Sequence, residues 1–194
     1  MTGGASLLQQ IRDFLADYRP RCLYQDEAMP AAVLLLLYEK ADELYIVLTR
    51  RTEDVEHHKG ETSFPGGAFD VEDGDLLTTA LRETEEEIGV RPEDVEVLGR
   101  LDDTVTITGF LVTPFVGILR TPWYPFAVNT HEVAELVEVP LRHLMDERNL
   151  RRDVRRLGDR WLPILIYDYG DHRIWGATAR ILKGFFDHLA ASGA

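Results

Sequence analysis

An acidic segment with helical periodicity is the feature that most restricts what this 194-residue chain can fold into. The segment covers residues 70–87 and contains eight acidic side chains and one basic side chain. Apolar residues recur at helical spacing within it, so we predict an amphipathic helix over residues 75–88. On this helix Glu83, Glu86 and Glu87 are three and four positions apart, and their carboxylates therefore share one face.

Three carboxylates on one helical face have two interpretations. The simpler one is a solvated acidic surface, because runs of charge usually face water. The other is a binding site for a hard cation, since Mg²⁺, Mn²⁺ and Ca²⁺ take clustered oxygen ligands. The second is favoured here because the glutamates adjoin the apolar side of the helix. In addition, Gly66 and Gly67 precede the helix and allow backbone groups to approach a ligand closely.

The hydrophobic pattern of the remaining chain predicts a mixed α/β protein with about six to eight strands and three or four helices. Helices are expected at residues 6–18, 140–147 and 173–190. Strands are expected at residues 31–38, 44–49, 95–98, 104–119, 153–157 and 161–169. We expect a single domain over residues 31–194, preceded by an N-terminal helix and connector over residues 1–30.

Charge and cysteine content exclude several classes of protein. The chain has 21 Lys and Arg against 34 Asp and Glu, a net charge of −13, and so lacks the basic surface that nonspecific nucleic-acid binding requires. Cys22 is the only cysteine, which excludes an internal disulfide and a cysteine-rich zinc site. Because no apolar run reaches ~20 residues and the first residues do not resemble a signal peptide, we expect a cytoplasmic protein that does not bind membranes.

From Gly67 onward the sequence resembles the Nudix box. The second half of the box matches at Arg82-Glu83-Thr84-Glu85-Glu86-Glu87-Ile88-Gly89-Val90. Gly67 and Arg82 are 15 positions apart, one more than usual, and Thr84 replaces an aliphatic residue. Asp73 or Glu72 falls near the place of the first glutamate of the box. The resemblance implies the Nudix fold, an α/β (α+β) architecture with a mixed β-sheet between helices.

An upstream segment is similar to the signature of a Nudix subgroup, the coenzyme A pyrophosphatases, which also have the longer spacing. The matching residues are Leu48-Thr49-Arg50-Arg51-Thr52, His58-Lys59-Gly60 and Phe64-Pro65-Gly66-Gly67. Shorter likenesses occur at Thr108-Gly109, Glu132-Val133 and Trp175-Gly176. The resemblance implies a hydrolase that cleaves the diphosphate linkage of coenzyme A and its derivatives, giving 3′,5′-ADP and 4′-phosphopantetheine or its acylated form.

The resemblance to the Nudix box also implies a metal site. Glu83, Glu86 and Glu87 are expected to bind Mg²⁺ or Mn²⁺, and the backbone carbonyl of Gly67 is expected to assist them. Arg82 is expected to orient one of these carboxylates. Metal ions suit this chemistry because they neutralise the phosphoryl oxygens of a diphosphate and activate the attacking water.

The general base stays open between a glutamate of the box and one of two downstream residues, Glu132 and Glu135. Both are expected on a mobile loop between a strand and a helix. A base must come within hydrogen-bonding distance of the attacking water, which a sequence does not show. The residues expected to bind substrate are Arg50, Arg51, His58, Lys59, Gly60 and Phe64.

Other functions compatible with the same motifs remain. A Nudix hydrolase of another nucleoside diphosphate derivative is one, with ADP-ribose, a dinucleoside polyphosphate or a nucleoside triphosphate as substrate. A nucleotide-sensing Nudix domain is a second, disfavoured because such domains usually lose box carboxylates. A structural calcium-binding module is a third, and no loop of the EF-hand type is present. The partner is expected to be a small molecule, and the chain a monomer or a homodimer.

Overall fold

The computed structural model of the protein describes residues 3–52, 61–157 and 160–192. Within these ranges the chain forms four α-helices: α1 (Gly3–Asp17), α2 (Leu76–Ile88), α3 (Leu141–Met145) and α4 (Gly176–Ala191). The same ranges contain eleven strands: β1 (Met29–Lys40), β2 (Glu43–Arg51), β3 (Thr62–Ser63), β4 (Gly66–Ala68), β5 (Val95–Arg100), β6 (Thr104–Val105), β7 (Phe110–Leu119), β8 (Val133–Pro140), β9 (Leu150–Leu157), β10 (Arg160–Tyr169) and β11 (His172–Trp175). No helix in the described ranges is long and apolar enough to cross a membrane.

The strands form a large mixed sheet and a smaller antiparallel one. Five strands of the large sheet lie side by side in the order β3-β2-β1-β7-β5, and β4, β6 and β8 extend it by pairing with β1, β7 and β2. β1 and β7 run parallel, from Met29 opposite Phe110 to Leu37 opposite Ile118. Parallel neighbours require a long crossover connection, and the connection between these two strands contains α2. The small sheet has the order β11-β10-β9.

The large sheet is covered on both faces, as β1 shows. Leu34 and Leu36 are fully buried in the hydrophobic cluster that includes α2, whereas Leu35 and Leu37 are fully buried in the cluster that includes α1 and α4. Successive side chains of a strand point to opposite faces, so a strand buried on both sides has a continuous apolar sequence. The expected architecture, a mixed sheet with helices around it, is confirmed.

Four strands correct the sequence-based prediction: the short β3 and β4, and the longer β8 and β11. The hydrophobic pattern predicts no strand over residues 133–140, where the structure has β8, and it includes residues 173–175 in the closing helix, where the structure has β11. In β8 the buried valines alternate imperfectly with glutamates, and the pairing with β2 shifts register between Arg50 and Arg51, so the two-residue period is broken. β11 has only four residues, and α4 begins after it at Gly176.

Candidate functional site

Helix α2 begins and ends at its capping residues. The Asp75 side chain accepts a hydrogen bond from the backbone N–H of Thr78, with the N and Oδ1 atoms 2.8 Å apart. At the other end Gly89 has a φ of +72°, in the left-handed region that favours glycine, and its N–H donates to the Glu85 carbonyl. The predicted helix over residues 75–88 is confirmed, with Asp75 as the cap.

Glu87 is the most deeply buried acid of α2, with 1% of its surface exposed. Two side chains of β2 contact its carboxylate: the Thr49 hydroxyl donates to Oε2 at 3.3 Å, and Arg51 Nη1 lies 3.4 Å from Oε1. Burial is the main cause that raises the pKa of Glu87 to about 8; the charge of Arg51 opposes this shift, and the negative charges of Glu83 and Glu132 contribute to it. The helix therefore holds a carboxylate in an environment that disfavours its negative charge.

Glu83 lies against the backbone of β4. A Cβ atom placed on Gly67 would stand 2.4 Å from Glu83 Oε2, so any side chain at position 67 would displace this carboxylate. Burial is the main cause that raises the pKa of Glu83, and the charge of Arg82 opposes it. Gly67 thus allows the backbone and a side chain to approach each other closely, as the sequence suggested. The side chain is that of Glu83 in the box.

Arg82 links the acidic side chains at the exposed edge of α2. Its Nε and Nη2 atoms donate to the two oxygens of Asp73 at 2.7 and 3.0 Å, a bidentate pair with a nearly buried carboxylate. Its Nη1 atom donates to Glu83 Oε1 at 2.8 Å and to Glu86 Oε2 at 3.0 Å. The Arg82 guanidinium holds the pKa of Asp73 well below its usual range. Asp73, one of two residues near the place of the first box glutamate, is thus the acid that Arg82 binds in a bidentate manner.

Glu132 stands close to the α2 glutamates because its loop is fastened to the end of that helix. The backbone N–H groups of Ala127 and Asn129 donate to the carbonyls of Ile88 and Glu87, each at 2.9 Å. The Glu132 carbonyl in turn accepts from the Thr52 N–H at 2.9 Å. The charge of its carboxylate raises the pKa values of both Glu83 and Glu87, so it lies within electrostatic range of both.

Glu135 lies elsewhere, which corrects the expectation of one mobile loop carrying both acids. It is part of β8, opposite Arg50 in β2. Its Oε2 atom is 3.1 Å from Arg50 Nε, and its Oε1 atom is 3.4 Å from Nε2 of His172 in β11. Glu132 immediately precedes β8, so the segment between the two acids leads into a strand and not into a helix.

The residues predicted to bind substrate are only partly brought together. Arg50 pairs with Glu135, while Arg51 approaches Glu87. Phe64 is 2% exposed and belongs to the hydrophobic core on the face away from α2, so the structure places it in the core and not on a surface that faces a substrate. The other three predicted residues, His58, Lys59 and Gly60, lie outside the described residues.

Two residues of the site were not singled out by sequence reasoning. Thr49 donates to Glu87, and it stands two positions before Arg51 in the same strand, so the alternation of side chains could have identified it. Asn129 joins the end of α2 to Glu132: its N–H donates to the Glu87 carbonyl, and its own carbonyl accepts the Glu132 N–H at 3.1 Å. Nothing in the local sequence signals these backbone contacts.

The donor set of the site fits a hard divalent cation, although its carboxylates are held by arginines here. Glu83, Glu86 and Glu87 offer oxygen ligands, and the close approach of the Gly67 backbone to Glu83 leaves a cradle that a Cβ would fill. In residues 3–52, 61–157 and 160–192, no three His, Cys, Asp or Glu side chains form a ready-made metal cluster. Arg82 and Arg51 instead supply the positive charge beside these carboxylates.

Comparisons with known proteins identify the family and the fold. A family model described as the NUDIX domain matches residues 28–161. A Pectobacterium atrosepticum protein named "Uncharacterized Nudix hydrolase NudL" is 41% identical over 140 residues, which are 71% of this chain and 71% of that protein. A protein of the same name from Photorhabdus laumondii is 39% identical over 158 residues, 81% of this chain and 83% of that one.

Among solved structures, the Nudix hydrolase RenU from M. smegmatis is similar to the chain with a TM-score of 0.50 and 24% identity, covering 60% of this chain and 73% of that one. A NUDIX hydrolase from Alicyclobacillus acidocaldarius has a TM-score of 0.50 and 19% identity, covering 64% of this chain and 84% of that one. At these identities the likeness concerns the fold.

Proposed function

The chain belongs to the NUDIX domain family, and from this premise we propose that it hydrolyses the diphosphate linkage of coenzyme A and its derivatives. Family membership makes it an enzyme that acts on pyrophosphate bonds of nucleoside diphosphate derivatives with the help of divalent metal ions. The proposed products are 3′,5′-ADP and 4′-phosphopantetheine, or its acylated form. The observation that carries a hydrolytic site is the convergence of Glu83, Glu87 and Glu132 beside Gly67.

In this proposal Glu83, Glu86 and Glu87, assisted by the Gly67 carbonyl, hold Mg²⁺ or Mn²⁺. When bound, such a cation supplies the positive charge that neutralises phosphoryl oxygens and acidifies water. The buried position of Glu87 excludes water from one side of the site and fixes the direction of its carboxylate. Arg82 orients Glu83 and Glu86 from the opposite, more exposed side.

We assign the general base to Glu132. Its carboxylate lies near Glu83 and Glu87, whereas Glu135 is engaged by Arg50 and His172 in the other direction. Within the described part of the chain the Glu132 carboxylate has no hydrogen bond or ion pair, so its oxygens are available to hold the proton of an attacking water. Its loop is tied to α2, and this tie fixes the distance between base and metal ligands.

Specificity for coenzyme A rests on the resemblance of residues 48–67 to the subgroup signature. The 3′-phosphate distinguishes coenzyme A from most nucleoside diphosphate derivatives, and a cation is needed to bind it. Arg50 and Arg51 each approach a carboxylate in the structure, so we assign this role to Lys59 and His58, in the segment that follows β2 directly.

Product analysis with coenzyme A as substrate tests the proposal. The purified chain is incubated with coenzyme A, ADP-ribose, a dinucleoside polyphosphate and a nucleoside triphosphate, each with Mg²⁺ or Mn²⁺. We expect kcat/KM to be highest for coenzyme A and the products to be 3′,5′-ADP and 4′-phosphopantetheine. Preferred turnover of ADP-ribose or of a nucleotide contradicts the substrate assignment and leaves the hydrolytic site in place. No turnover of any of the four contradicts both.

A further inference from the structure

We propose that Arg51 is a positioning residue for the metal ligand Glu87 and does not bind the phosphate of the substrate. The inference rests on the proposed function in one respect, because it takes Glu87 as a metal ligand. Its evidence is the placement of the guanidinium: Nη1 lies 3.4 Å from Glu87 Oε1, on a carboxylate whose side chain is 2% exposed. The Arg51 side chain itself is 26% exposed.

The backbone of β2 directs Arg51 toward α2. Thr49 and Arg51 are two positions apart and both approach Glu87, while Arg50 between them approaches Glu135 on the other face. The register of β2 and β8 shifts between Arg50 and Arg51 because β8 skips Ala134, so the regular alternation of β2 itself brings Arg51 to the same face as Thr49. The Arg51 N–H also donates to the Glu61 carbonyl at 3.1 Å, so the strand is held on both sides at this residue.

Two arginines divide the acids of the site between them. The Arg82 guanidinium is engaged by Asp73, Glu83 and Glu86. In the described chain, Arg82 forms no ion pair with Glu87. The partners of the Glu87 carboxylate there are the Thr49 hydroxyl and Arg51. A buried carboxylate beside other carboxylates keeps one direction only when hydrogen-bonded and balanced by a cation. Arg51 is the cation in that position.

The guanidinium is also poorly placed to serve a substrate. Its Nε atom is buried and has no hydrogen-bond partner in the part of the chain that the structure describes. Nη1 points to Glu87. An arginine whose Nε atom is buried in this way is better placed to orient a neighbouring carboxylate than to bind a phosphate from solution.

Binding of Mn²⁺ alone, without substrate, tests the assignment. We expect Arg51→Ala to raise the Mn²⁺ dissociation constant about 10- to 100-fold, the range seen when partners of metal ligands are removed. Arg51→Lys should recover part of the loss because it restores the charge. Arg50→Ala is the matched control: it removes the neighbouring arginine from the opposite face and should leave Mn²⁺ affinity within about twofold.

A substrate series separates the two roles of Arg51. If it positions Glu87, Arg51→Ala should change KM for coenzyme A and for 3′-dephospho-coenzyme A by the same factor. Unchanged or tighter Mn²⁺ binding, or a KM increase confined to coenzyme A, overturns the proposal. Arg51→Gln and Arg51→Lys carry the test if the alanine variant fails to fold. Because Mn²⁺ binding is measured without substrate, it tests the role of Arg51 even if coenzyme A is not the substrate.

Discussion

Arg50 and Arg51 are neighbours in sequence, and both were expected to bind substrate. In the structure they lie on opposite faces of β2. Arg51 approaches Glu87, which is almost completely buried, and Arg50 pairs with Glu135, whose side chain is 44% exposed. Position along a strand, and not the type of residue, therefore decides which of the two belongs to the hydrolytic site.

The two faces also differ in what a charge contributes. On the α2 face, Glu83, Glu87 and Glu132 lie close together, and Glu87 is buried. Each contact of these carboxylates therefore affects their charge and direction. On the other face the Arg50–Glu135 pair is open to solvent, where such pairs contribute little to stability. Substitutions on the two faces should have effects of different size, and the following experiments test that difference.

Glu132→Gln should have the largest effect. Glu132 lies within electrostatic range of Glu83 and Glu87, and removal of a general base costs about 10²–10⁴-fold in kcat. Because the glutamine keeps the backbone contacts of the loop with Glu87 and Thr52, Mn²⁺ affinity should stay nearly unchanged. Steady-state kinetics beside a Mn²⁺ titration gives both quantities.

Glu135→Gln is the matched control for this experiment, since it removes the same charge from the other face. A near-normal kcat in Glu132→Gln, together with a large loss of kcat in Glu135→Gln, shows that the general base is Glu135 and not Glu132. Equal losses in both variants indicate an electrostatic effect of the whole loop segment and no specific base.

Glu83→Gln and Glu87→Gln should each lower kcat by about 10²–10³-fold, because each removes a ligand of the metal ion whose positive charge stabilises the transition state. Glu85 is on the same helix but exposed, so Glu85→Gln is the control. Activity should also disappear in EDTA and return with Mg²⁺ or Mn²⁺. Full activity in EDTA contradicts the metal site altogether.

Much of the fold was predictable because it depends on local patterns. The apolar run of β1 and the capped periodicity of α2 are each contained in a few consecutive residues. β8 was missed because its partner β2 lies far away in sequence and the bulge at Ala134, opposite Arg50 and Arg51, breaks its alternation. β11 was missed because four residues are too few to establish a period against the helix that follows.

The site was predictable to the extent that it lies on one helix. The shared face of Glu83, Glu86 and Glu87 follows from helical spacing, and the need for a glycine at position 67 was visible in the box. Contacts between distant segments were not predictable: the attachment of Asn129 to the Glu87 carbonyl involves backbone groups that every residue has. The burial of Phe64 was not predictable either, because an aromatic residue in a motif can serve the core as well as a ligand.

The stability of the metal-free protein should depend on pH through Glu87. Its ordinary pKa is 4.5 and its pKa in the fold is about 8, so between these values the folded state holds a proton that the unfolded state has lost. The free energy of unfolding should therefore fall as pH rises through this window, by at most about 1.4 kcal/mol per pH unit from this group. Denaturant unfolding in EDTA at several pH values measures it.

Glu87→Gln provides the comparison for this pH series, because glutamine fills the same space without titrating. The stability of the variant relative to the original chain should increase with pH, and the difference should be smallest near the lower end of the window. Parallel stability profiles of the two proteins contradict a buried, protonated Glu87 and weaken the contrast between the two faces of β2.

The pair of Arg50 and Glu135 should show the smallest effect. Its side chains are 35% and 44% exposed, and exposed pairs typically contribute about 0.2–1 kcal/mol. A double-mutant cycle with Arg50→Ala and Glu135→Ala measures this coupling in the free energy of unfolding, and added salt should reduce it. Repeating the cycle with the Mn²⁺ dissociation constant as the readout should give no coupling, because neither residue contacts the acids of α2. Coupling in metal affinity as large as that of Arg51 with Glu87 contradicts the separation of the two faces.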